Sequence, residues 1–271
     1  MRRVTDSDEQ HHYRAIWLSD IHLGTSGCQA SYLLEFLRVH RADTLYLVGD
    51  ILDGWQLRKG WYWPQAHNDV VQKLLRMARK GTRVVYIPGN HDELSRQFIG
   101  LSFGGIQIVE DEIHITANGR KLWVTHGDLF DSVMHHARWL ARLGSWIYEW
   151  LLKLNRVLNG VRRRMGLPYW SVSQYLKHKA KRATSFINDF EHVMAAEARR
   201  RGCTGVVCGH IHKAEMRNID GILYCNDGDW VESLSALVES HAGELSLIHW
   251  RNRLAASLQP DRLDEPQQLV A

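Results

Sequence analysis

Five short polar clusters in this chain each follow an apolar run that is typical of a β-strand. The clusters are Asp20-x-His22, Gly49-Asp50, Gly89-Asn90-His91-Asp92, His126-Gly127-Asp128 and Gly209-His210-x-His212. Their side chains offer carboxylate, amide and imidazole ligands, and none of them is a cysteine. Such oxygen and nitrogen ligands suit Mn²⁺, Fe or Zn²⁺ at a hydrolytic centre. The pattern therefore indicates a metal site built from several parts of the chain.

The apolar runs before the clusters predict the strands that must position these ligands. The runs are Ala15–Leu18, Thr44–Val48, Arg83–Ile87, Leu122–Thr125 and Val206–Cys208. They are almost continuously apolar, as expected for strands that are covered on both faces. Because open α/β sheets bind ligands at the carboxyl ends of their strands, we expect the five clusters to meet at one edge.

Two divalent cations at such an edge could perform phosphoryl chemistry. Cations about 4 Å apart can clamp both oxygens of an in-line displacement at phosphorus. This arrangement needs a carboxylate that bridges the ions, with imidazole and amide ligands completing each shell. A single histidine among the sixteen in the chain would more often be an ordinary core or surface residue. Five clusters at strand ends, in this order, favour the metal interpretation.

Helices are predicted between the first strands, and a hairpin follows them. Cys28–Arg41 and Asn68–Lys80 have apolar residues at helical spacing, and Gly81 is placed to end the second helix. Ile113–Thr116 and Lys121–Thr125 flank an Asn-Gly pair, which is a strong hairpin signal. The sequence thus combines alternating strands and helices with antiparallel pairs.

The C-terminal part of the chain predicts further strands. Gly221–Cys225, Glu232–Glu239 and Glu244–Trp250 are apolar runs separated by turn residues. We interpret them as antiparallel strands. Together with the first half, they predict a mixed α/β protein.

The five clusters as a group resemble the motifs of the calcineurin-like metallophosphoesterase superfamily, D-x-H, G-D, G-N-H-[D/E], H and G-H-x-H. The resemblance covers residues 14–250 and implies an α/β/β/α sandwich. Within that superfamily, the chain is similar to the UDP-2,3-diacylglucosamine diphosphatase group, through Gly49–Trp55 and the long insert after His126. That group has arginine after the asparagine of its third motif, where this chain has His91, so the substrate stays open.

The resemblance also implies which residues hold two divalent metal ions, with Mn²⁺ expected and Fe or Zn²⁺ as alternatives. One metal would be bound by Asp20, His22 and His212, and the other by Asn90, His126 and His210. Asp50 would bridge the two ions.

His91 is the candidate catalytic residue, and Asp92 is expected to assist it. An imidazole beside the metals can stabilise the transition state and protonate the leaving oxygen. Asp92 could orient His91 and hold it protonated, or it could cap a following helix, Glu93–Ile99; both roles can coexist. Other side chains near the ligands in sequence are candidate substrate contacts: Asp53, Trp55, Arg96, Lys213 and Trp230.

Residues 129–201 interrupt the strand pattern and predict a helical cap insert above the metal site. The insert divides a domain over residues 14–250, and a polar tail over residues 251–271 is expected to be flexible. Within the insert, Ser132–Asn188 has eleven lysines and arginines against one acid, Glu149, which gives a net charge of +10 in a chain of net charge +4.

The same insert has features of a helix that lies on an anionic membrane. An apolar stripe at helical spacing is widened by tryptophans and accompanied by cations, which suits a bilayer surface. The residues concerned are Trp139, Trp146, Trp150, Arg162, Arg163 and Arg164. The alternative is that the stripe packs against a second insert helix and the tryptophans belong to a core.

The composition places the chain among ordinary globular proteins. Its 271 residues are 45% hydrophobic, and no run approaches the ~20 apolar residues that span a bilayer. Four cysteines without C-x-x-C spacing predict reduced, mostly buried thiols. With no secretory signal visible at Met1–Tyr13, we expect a cytoplasmic protein, peripheral to the inner face of the plasma membrane.

Three functions remain open on the sequence. The first is a dinuclear metal-dependent phosphoesterase or pyrophosphatase that hydrolyses an amphiphilic substrate; the resemblance suggests UDP-2,3-diacylglucosamine, giving UMP and a lipid phosphate. The second is a nuclease or soluble nucleotide phosphodiesterase whose basic insert follows a phosphate backbone. The third is a non-catalytic scaffold, which the seven filled ligand positions disfavour.

Overall fold

The computed structural model describes residues 10–130 and 187–251, which form two stacked β-sheets with helices outside them. The strands are β1 His11–Leu18, β2 His40–Val48, β3 Arg83–Ile87, β4 Ser102–Phe103, β5 Ile106–Ile108, β6 Glu112–Ile115, β7 Lys121–Val124, β8 Gly205–Cys208, β9 Glu215–Ile219, β10 Ile222–Asn226, β11 Ser235–Glu239 and β12 Leu245–His249. The helices are α1 Ala30–Val39, α2 Gly54–Lys59, α3 Gln65–Arg79 and α4 187–200, with a three-ten helix at Glu93–Phe98.

The first sheet has seven strands in the order β12-β11-β1-β2-β3-β5-β4. Its centre is parallel, since β1 pairs with β2, β2 with β3 and β3 with β5 in the same direction. Antiparallel strands complete both edges. The predicted strands Ala15–Leu18 and Thr44–Val48 lie within β1 and β2, and Arg83–Ile87 is β3 itself.

The second sheet has five strands in the order β6-β7-β8-β10-β9. Here β7, β8 and β10 are parallel, whereas β6 and β9 are antiparallel edge strands. The predicted hairpin is confirmed, because β6 and β7 pair across a turn in which the Gly119 N–H bonds to the Thr116 carbonyl. Gly119 has φ +82°, a left-handed conformation that glycine adopts without strain.

Three apolar cores hold four layers together. Ile16 and Leu18 of β1 face α1 and α3 in the first core, while Ala15 and Trp17 face the second sheet. This alternation follows from the two-residue period of a strand. Phe190 and the rest of the apolar face of α4 cover the far side of the second sheet. The layers are therefore helix, sheet, sheet and helix, and the predicted α/β/β/α sandwich is confirmed.

Several predicted boundaries shift in the structure. The first helix ends at Val39 rather than Arg41, because the chain enters β2 directly at His40. The second helix begins three residues earlier than predicted, directly after Pro64, which occupies its N-cap. The strand β9 was not predicted from the sequence. Of the predicted C-terminal strands, β11 and β12 form an antiparallel pair, but β10 is parallel to β8.

The last part of the predicted insert belongs to the outer helical layer. Residues 187–200 form α4, in which Phe190 and Met194 are fully buried against the second sheet. The remainder of the insert, residues 131–186, and the tail from residue 252 lie outside the described residues. The cap and the domain limits therefore stay predictions. Within the described ranges, no helix is long and apolar enough to cross a membrane. All four cysteines are free, and three are buried.

Candidate metal centre

The structure brings six of the seven predicted ligands into clusters at one edge of the sandwich, and Asn90 follows β3 at the same edge. The first sheet contributes the residues that follow β1, β2 and β3, and the second sheet contributes those that follow β7 and β8. All five strands end at this edge, as expected for parallel strands. The residues are Asp20, His22, Asp50, Asn90, His126, His210 and His212.

One group of potential ligands is formed by Asp20, His22 and His212. Their nearest ligand atoms all lie within 4.8 Å of one another. Nε2 of His212 is 3.1 Å from Oδ1 of Asp20, and Nε2 of His22 is 3.8 Å from the same oxygen. Both imidazoles thus direct the same nitrogen toward one carboxylate oxygen, which is an arrangement that a divalent cation can bind.

A second group of potential ligands lies beside the first and contains the carboxylate of Asp50. Asp50, His126 and His210 also place their ligand atoms within 4.8 Å of one another. Oδ2 of Asp50 is 3.4 Å from Nε2 of His126. Asp50 forms a further group of this kind with His22 and His91. Asp50 consequently stands between the two sets, where a bridging carboxylate is needed.

The hydrogen bonds of the predicted ligands are made by atoms that a metal ion would not use. Nδ1 of His126 bonds to the Val48 carbonyl at 2.8 Å, and Oδ2 of Asp20 accepts the His210 N–H at 2.9 Å. Among the buried atoms that make no hydrogen bond are four at this edge, Asp20 Oδ1, His22 Nε2, Asn90 Oδ1 and His126 Nε2. Because unpartnered buried polar atoms are rare, these four fit ligands of divalent metal ions.

The electrostatics of the centre also favour bound cations. Burial lowers the pKa of His212, but the hydrogen bond and charge of Asp20 outweigh it and raise this pKa to about 9. Burial also lowers the pKa of His126. The charge of Asp50 outweighs burial and raises this pKa well above its usual range. The carboxylates therefore attract positive charge at this edge, and metal ions would replace the protons held by the imidazoles.

Five of the seven predicted ligands have a left-handed backbone. The φ angles are 49° at Asp20, 53° at His22, 53° at Asp50, 71° at His210 and 53° at His212. Only two other non-glycine residues in the described ranges have positive φ, Asp220 and Leu234. Such backbone costs energy for residues with a Cβ and concentrates at functional sites. The sharp turns after the strands aim these side chains at a common point.

Two glycines of the motifs make room for the ligands. A Cβ on Gly49 would collide with the His126 ring, and a Cβ on Gly89 would collide with Oδ1 of Asp50. Gly49 also has φ +79°. The glycine before each of Asp50 and Asn90 is thus required by the close approach of neighbouring segments.

His91 lies over the centre and is held by Asp53. Nδ1 of His91 is 3.0 Å from Oδ2 of Asp53, and its Nε2 is 3.9 Å from Oδ2 of Asp50. Burial lowers the pKa of His91, but the hydrogen bond to Asp53 and the charges of Asp50 and Asp20 raise it overall. The ring of Trp55 lies 4.2 Å from the His91 ring. His91 is therefore oriented on one side and free to act through Nε2 on the other.

Asp92 occupies the N-cap position of the following three-ten helix, but its carboxylate has other partners than those predicted. The Asp92 carboxylate accepts backbone N–H groups of Gly89 at 2.6 Å and Ile51 at 2.8 Å. It makes no side-chain cap on the following three-ten helix, and the carboxylate that bonds to His91 belongs to Asp53. Asp92 instead ties the loop after β3 to the loop after β2, because both loops turn their N–H groups toward it.

Asp53 is also not the substrate contact that its position in the sequence suggested. It is 3% exposed, and its Oδ2 contacts Nδ1 of His22 at 3.2 Å as well as His91. Its Oδ1 caps α2 by accepting the Gln56 N–H. Burial raises the pKa of Asp53, but these hydrogen bonds lower it overall and keep the carboxylate charged. Asp53 thus orients one potential ligand and the candidate acid together.

The remaining predicted substrate contacts have different surroundings. Trp230 is fully buried in the first core, with its ring 5.2 Å from the Phe36 ring, so that prediction was wrong. Arg96 pairs with Asp128 at 2.6 Å and lines a pocket next to His126. Nζ of Lys213 lies 3.7 Å from the buried Glu191 of α4. The substrate contacts expected of Trp55, Arg96 and Lys213 stay predictions.

Buried polar residues beside Asp20 and Gly209 form a further hydrogen-bonded group. The Ser19 hydroxyl donates to the fully buried Asp227 at 2.6 Å, and the Asn226 amide donates to the Gly209 carbonyl at 2.6 Å. Burial holds the pKa of Asp227 well above its usual range. Asp227 directly follows β10, the neighbour of β8, which is the same placement as the ligand clusters.

The residues predicted to contact lipid lie outside the described residues. They are Trp139, Trp146, Trp150, Arg162, Arg163 and Arg164. Their role stays a prediction from the sequence.

Comparison with known proteins agrees with this centre. Residues 13–214 match the family model described as calcineurin-like phosphoesterase, a span of well over half the chain. The chain belongs to the calcineurin-like phosphoesterase family. It is accordingly a metal-dependent phosphoester hydrolase, and the two ligand groups fit the divalent ions that such a hydrolase needs.

Relatives within this family extend over most of the chain. A UDP-2,3-diacylglucosamine hydrolase of Aeromonas salmonicida is 26% identical over 269 residues, covering 94% of this chain and 99% of that protein. Another of Azotobacter vinelandii is 27% identical, covering 74% and 83%. Among solved structures, vacuolar protein sorting 29 of Cryptosporidium parvum matches with a TM-score of 0.41 and 13% identity, covering 86% of this chain and 94% of that one.

Proposed function

We propose that this phosphoesterase hydrolyses a phosphoester or diphosphate of an amphiphilic nucleotide, with UDP-2,3-diacylglucosamine as the first candidate. The observation that carries the proposal is the pair of ligand groups that meet at Asp50 beneath His91. Two metal ions held in this way can stabilise both the attacking and the leaving oxygen of a displacement at phosphorus.

The proposal assigns two divalent ions to the centre. Asp20, His22 and His212 hold one ion, Asp50 bridges, and Asn90, His126 and His210 hold the other. When bound, the ions supply Lewis acidity to the phosphoryl group. We favour Mn²⁺ because hard oxygen ligands are mixed with imidazole, and Fe and Zn²⁺ remain alternatives.

The chain's own residues provide the proton for the leaving group. As the phosphorus–oxygen bond breaks and water adds to phosphorus, Nε2–H of His91 donates its proton to the leaving oxygen. Oδ2 of Asp53 lies 3.0 Å from Nδ1 of His91, and its negative charge stabilises the protonated ring. Trp55 packs beside the same ring and limits its movement.

The substrate assignment is supported by the curated relatives, which are UDP-2,3-diacylglucosamine hydrolases at 24–27% identity over most of the chain. Such a substrate would be cleaved to UMP and a lipid phosphate. His91 stands where the sequence resemblance leads us to expect arginine in that group. The Asp53–His91 pair therefore leaves open a different headgroup with the same lipid-linked diphosphate chemistry.

A substrate panel tests the proposal. The Mn²⁺-loaded protein would be given UDP-2,3-diacylglucosamine, its non-acylated analogue UDP-N-acetylglucosamine, CDP-diacylglycerol and single-stranded DNA. We expect the acylated diphosphates to be cleaved far faster than the non-acylated one. Preference for UDP-N-acetylglucosamine would contradict a lipid substrate, and fast cleavage of DNA would establish the nuclease alternative.

The proposal includes contact with an anionic membrane and a place at the inner face of the plasma membrane. Its support is the sequence of Ser132–Asn188, with net charge +10 and three tryptophans beside an apolar stripe. Each cation near an anionic surface contributes on the order of 1 kcal/mol. Binding to anionic liposomes should weaken with salt without vanishing, since buried tryptophan is not screened. Equal sedimentation with and without liposomes would refute this contact.

A further inference from the structure

Three side chains cluster at the opposite end of the first sheet from the metal centre. His12 lies near the start of β1, Asp43 lies in β2, and His241 lies between β11 and β12. Nε2 of His12 is 3.1 Å from Oδ1 of Asp43, and Nδ1 of His241 is 3.8 Å from Oδ2 of Asp43. Potential ligand atoms of the three residues all lie within 4.8 Å of one another.

These distances suit a tetrahedral metal ion. With zinc–ligand bonds of about 2.1 Å, two ligand atoms at the tetrahedral angle are about 3.4 Å apart. The separations of 3.1 Å from His12 to Oδ1 of Asp43 and 3.8 Å from His241 to Oδ2 of Asp43 lie on either side of that value, so the carboxylate offers one oxygen to each imidazole. The side chains of the three residues are 56%, 54% and 53% exposed, so water can complete the coordination sphere. An ion could therefore bind with small side-chain adjustments.

The backbone fixes the three ligands relative to one another. β1 and β2 are paired in parallel, with His12 opposite Arg41 and Tyr13 opposite Ala42. The turn that bears His241 is closed by Ser240 N–H to the Glu244 carbonyl and by Gly243 N–H to the Ser240 carbonyl. Because each ligand is carried by hydrogen-bonded backbone, little order has to be gained when an ion binds.

We propose that His12, Asp43 and His241 form a third metal site, which binds Zn²⁺ independently of the catalytic centre. Two imidazoles and one carboxylate are a common ligand set for zinc with an open position. Within the described part of the chain, the two histidines are the ion-pair partners recorded for Asp43, so no other cation is seen there to neutralise its carboxylate. The competing explanation is a pair of exposed ion pairs, which contribute little to stability.

A zinc ion here would tie together three segments of the first sheet. It would join β1, β2 and the β11–β12 turn at the end of the first sheet that lies opposite the metal centre. His12 and Leu18 are six residue steps apart in β1, roughly 20 Å at 3.3 Å per step, and the catalytic ligands follow Leu18. The third site therefore acts on the stability of the fold, since an ion that binds only the folded state stabilises it by mass action.

Zinc stoichiometry tests the site. Wild-type protein and the double variant His12→Ala/His241→Ala would be dialysed against micromolar free Zn²⁺, and bound zinc would be counted by elemental analysis. We expect the double variant to bind one zinc ion fewer per chain. His249→Ala, which removes an exposed histidine of β12, is the matched control and should bind as much zinc as wild type. Equal zinc in all three proteins would overturn the proposal.

Two further measurements separate a metal site from a general effect of the substitutions. Zinc added to Mn²⁺-loaded protein should raise the melting temperature of wild type more than that of the double variant, while both retain the same Mn²⁺-dependent hydrolysis of bis-p-nitrophenyl phosphate. Asp43→Asn should weaken the binding of the third zinc ion at least tenfold, because the anionic ligand is lost. Unchanged zinc affinity in Asp43→Asn would exclude the three-ligand site.

Discussion

Oδ2 of Asp53 lies 3.0 Å from Nδ1 of His91, and the same oxygen lies 3.2 Å from Nδ1 of His22. One carboxylate oxygen thus orients both the proposed acid and a proposed metal ligand. Since the two imidazoles approach each other edge to face, at 4.7 Å between ring centres, a change at Asp53 should disturb both functions at once.

Asp53→Asn should lower both metal affinity and turnover, by about 10- to 100-fold each, as is usual when an orienting partner of a metal ligand is changed. Saturating Mn²⁺ should restore the occupancy but not the rate, because His91 still lacks its carboxylate. Metal titration with steady-state kinetics would measure both effects. Asp69→Asn on the surface of α3 is the control and should behave as wild type. Full recovery of rate with metal would show that Asp53 acts through His22 alone.

His91→Ala should lower turnover by about 10²- to 10⁴-fold while the metal content stays nearly unchanged. The loss should be much smaller for a substrate with a good leaving group, such as p-nitrophenol, because that group leaves without a proton. Comparing substrates with leaving groups of different pKa would reveal the difference. A loss that is equal for all leaving groups, or that follows the metal content, would assign His91 another role.

Asp50→Ala should reduce the bound metal to one ion per chain or fewer and abolish hydrolysis, because the carboxylate that stands between the two groups is lost. Elemental analysis of protein purified with Mn²⁺ would count the ions. The Asp69→Asn protein is again the comparison. Full metal occupancy together with full activity in Asp50→Ala would refute the proposed bridge.

Glu239→Ala should lower the free energy of unfolding by about 2–4 kcal/mol, since a buried pair is broken and its partner is left uncompensated. Glu239 is fully buried between the sheets and contacts Arg14 at 2.9 Å and His114 at 2.7 Å. Urea denaturation of metal-free protein would measure the change. The more exposed Arg83–Glu112 pair gives the matched control, and Glu112→Gln should cost about 1 kcal/mol or less. Equal costs would show that burial of the pair is unimportant.

His67 should make the fold less stable in mild acid. It is buried in α3, its Nδ1 accepts the Gly24 N–H at 3.0 Å, and burial lowers its pKa. The unfolded chain therefore takes up a proton below about pH 6.5 that the folded chain does not, and stability is lost as the pH falls through that value. His67→Asn keeps an acceptor without titrating, so it should lose less stability between pH 8 and pH 5.5. Identical pH dependence in metal-free urea denaturation would contradict this.

The sequence was sufficient to predict the five strands that precede the motifs and the meeting of their ligands, because each motif directly follows a buried apolar run. It suggested Asp92 as the partner of His91, whereas the structure places Asp53 there. Asp92 is adjacent in sequence, but the Gly54 N–H bonds to the His91 carbonyl at 3.0 Å and brings Asp53 to the ring. Such a contact depends on how two loops pack, and neither loop encodes it alone.

Other predictions from the sequence were wrong for a similar reason. Trp230 follows a strand near the last motif and therefore suggested a rim position, yet its ring fills the first core beside Phe36. Residues 129–201 were predicted to form one helical insert, whereas Phe190 and Met194 of α4, within that range, cover the second sheet. Local periodicity identifies an apolar face, but the surface that it covers is decided by the tertiary fold.

The left-handed backbone at five proposed ligands has a consequence for how this scaffold could change over evolution. Each such residue other than glycine costs on the order of 1 kcal/mol, so the folded chain would gain stability if glycine replaced it. Asp20, His22, Asp50, His210 and His212 are therefore expected to be retained only while selection for metal binding lasts. In a descendant that no longer needs metal binding, glycine is expected to replace these five residues. The folded state of that protein would then be more stable than that of the metal-binding form.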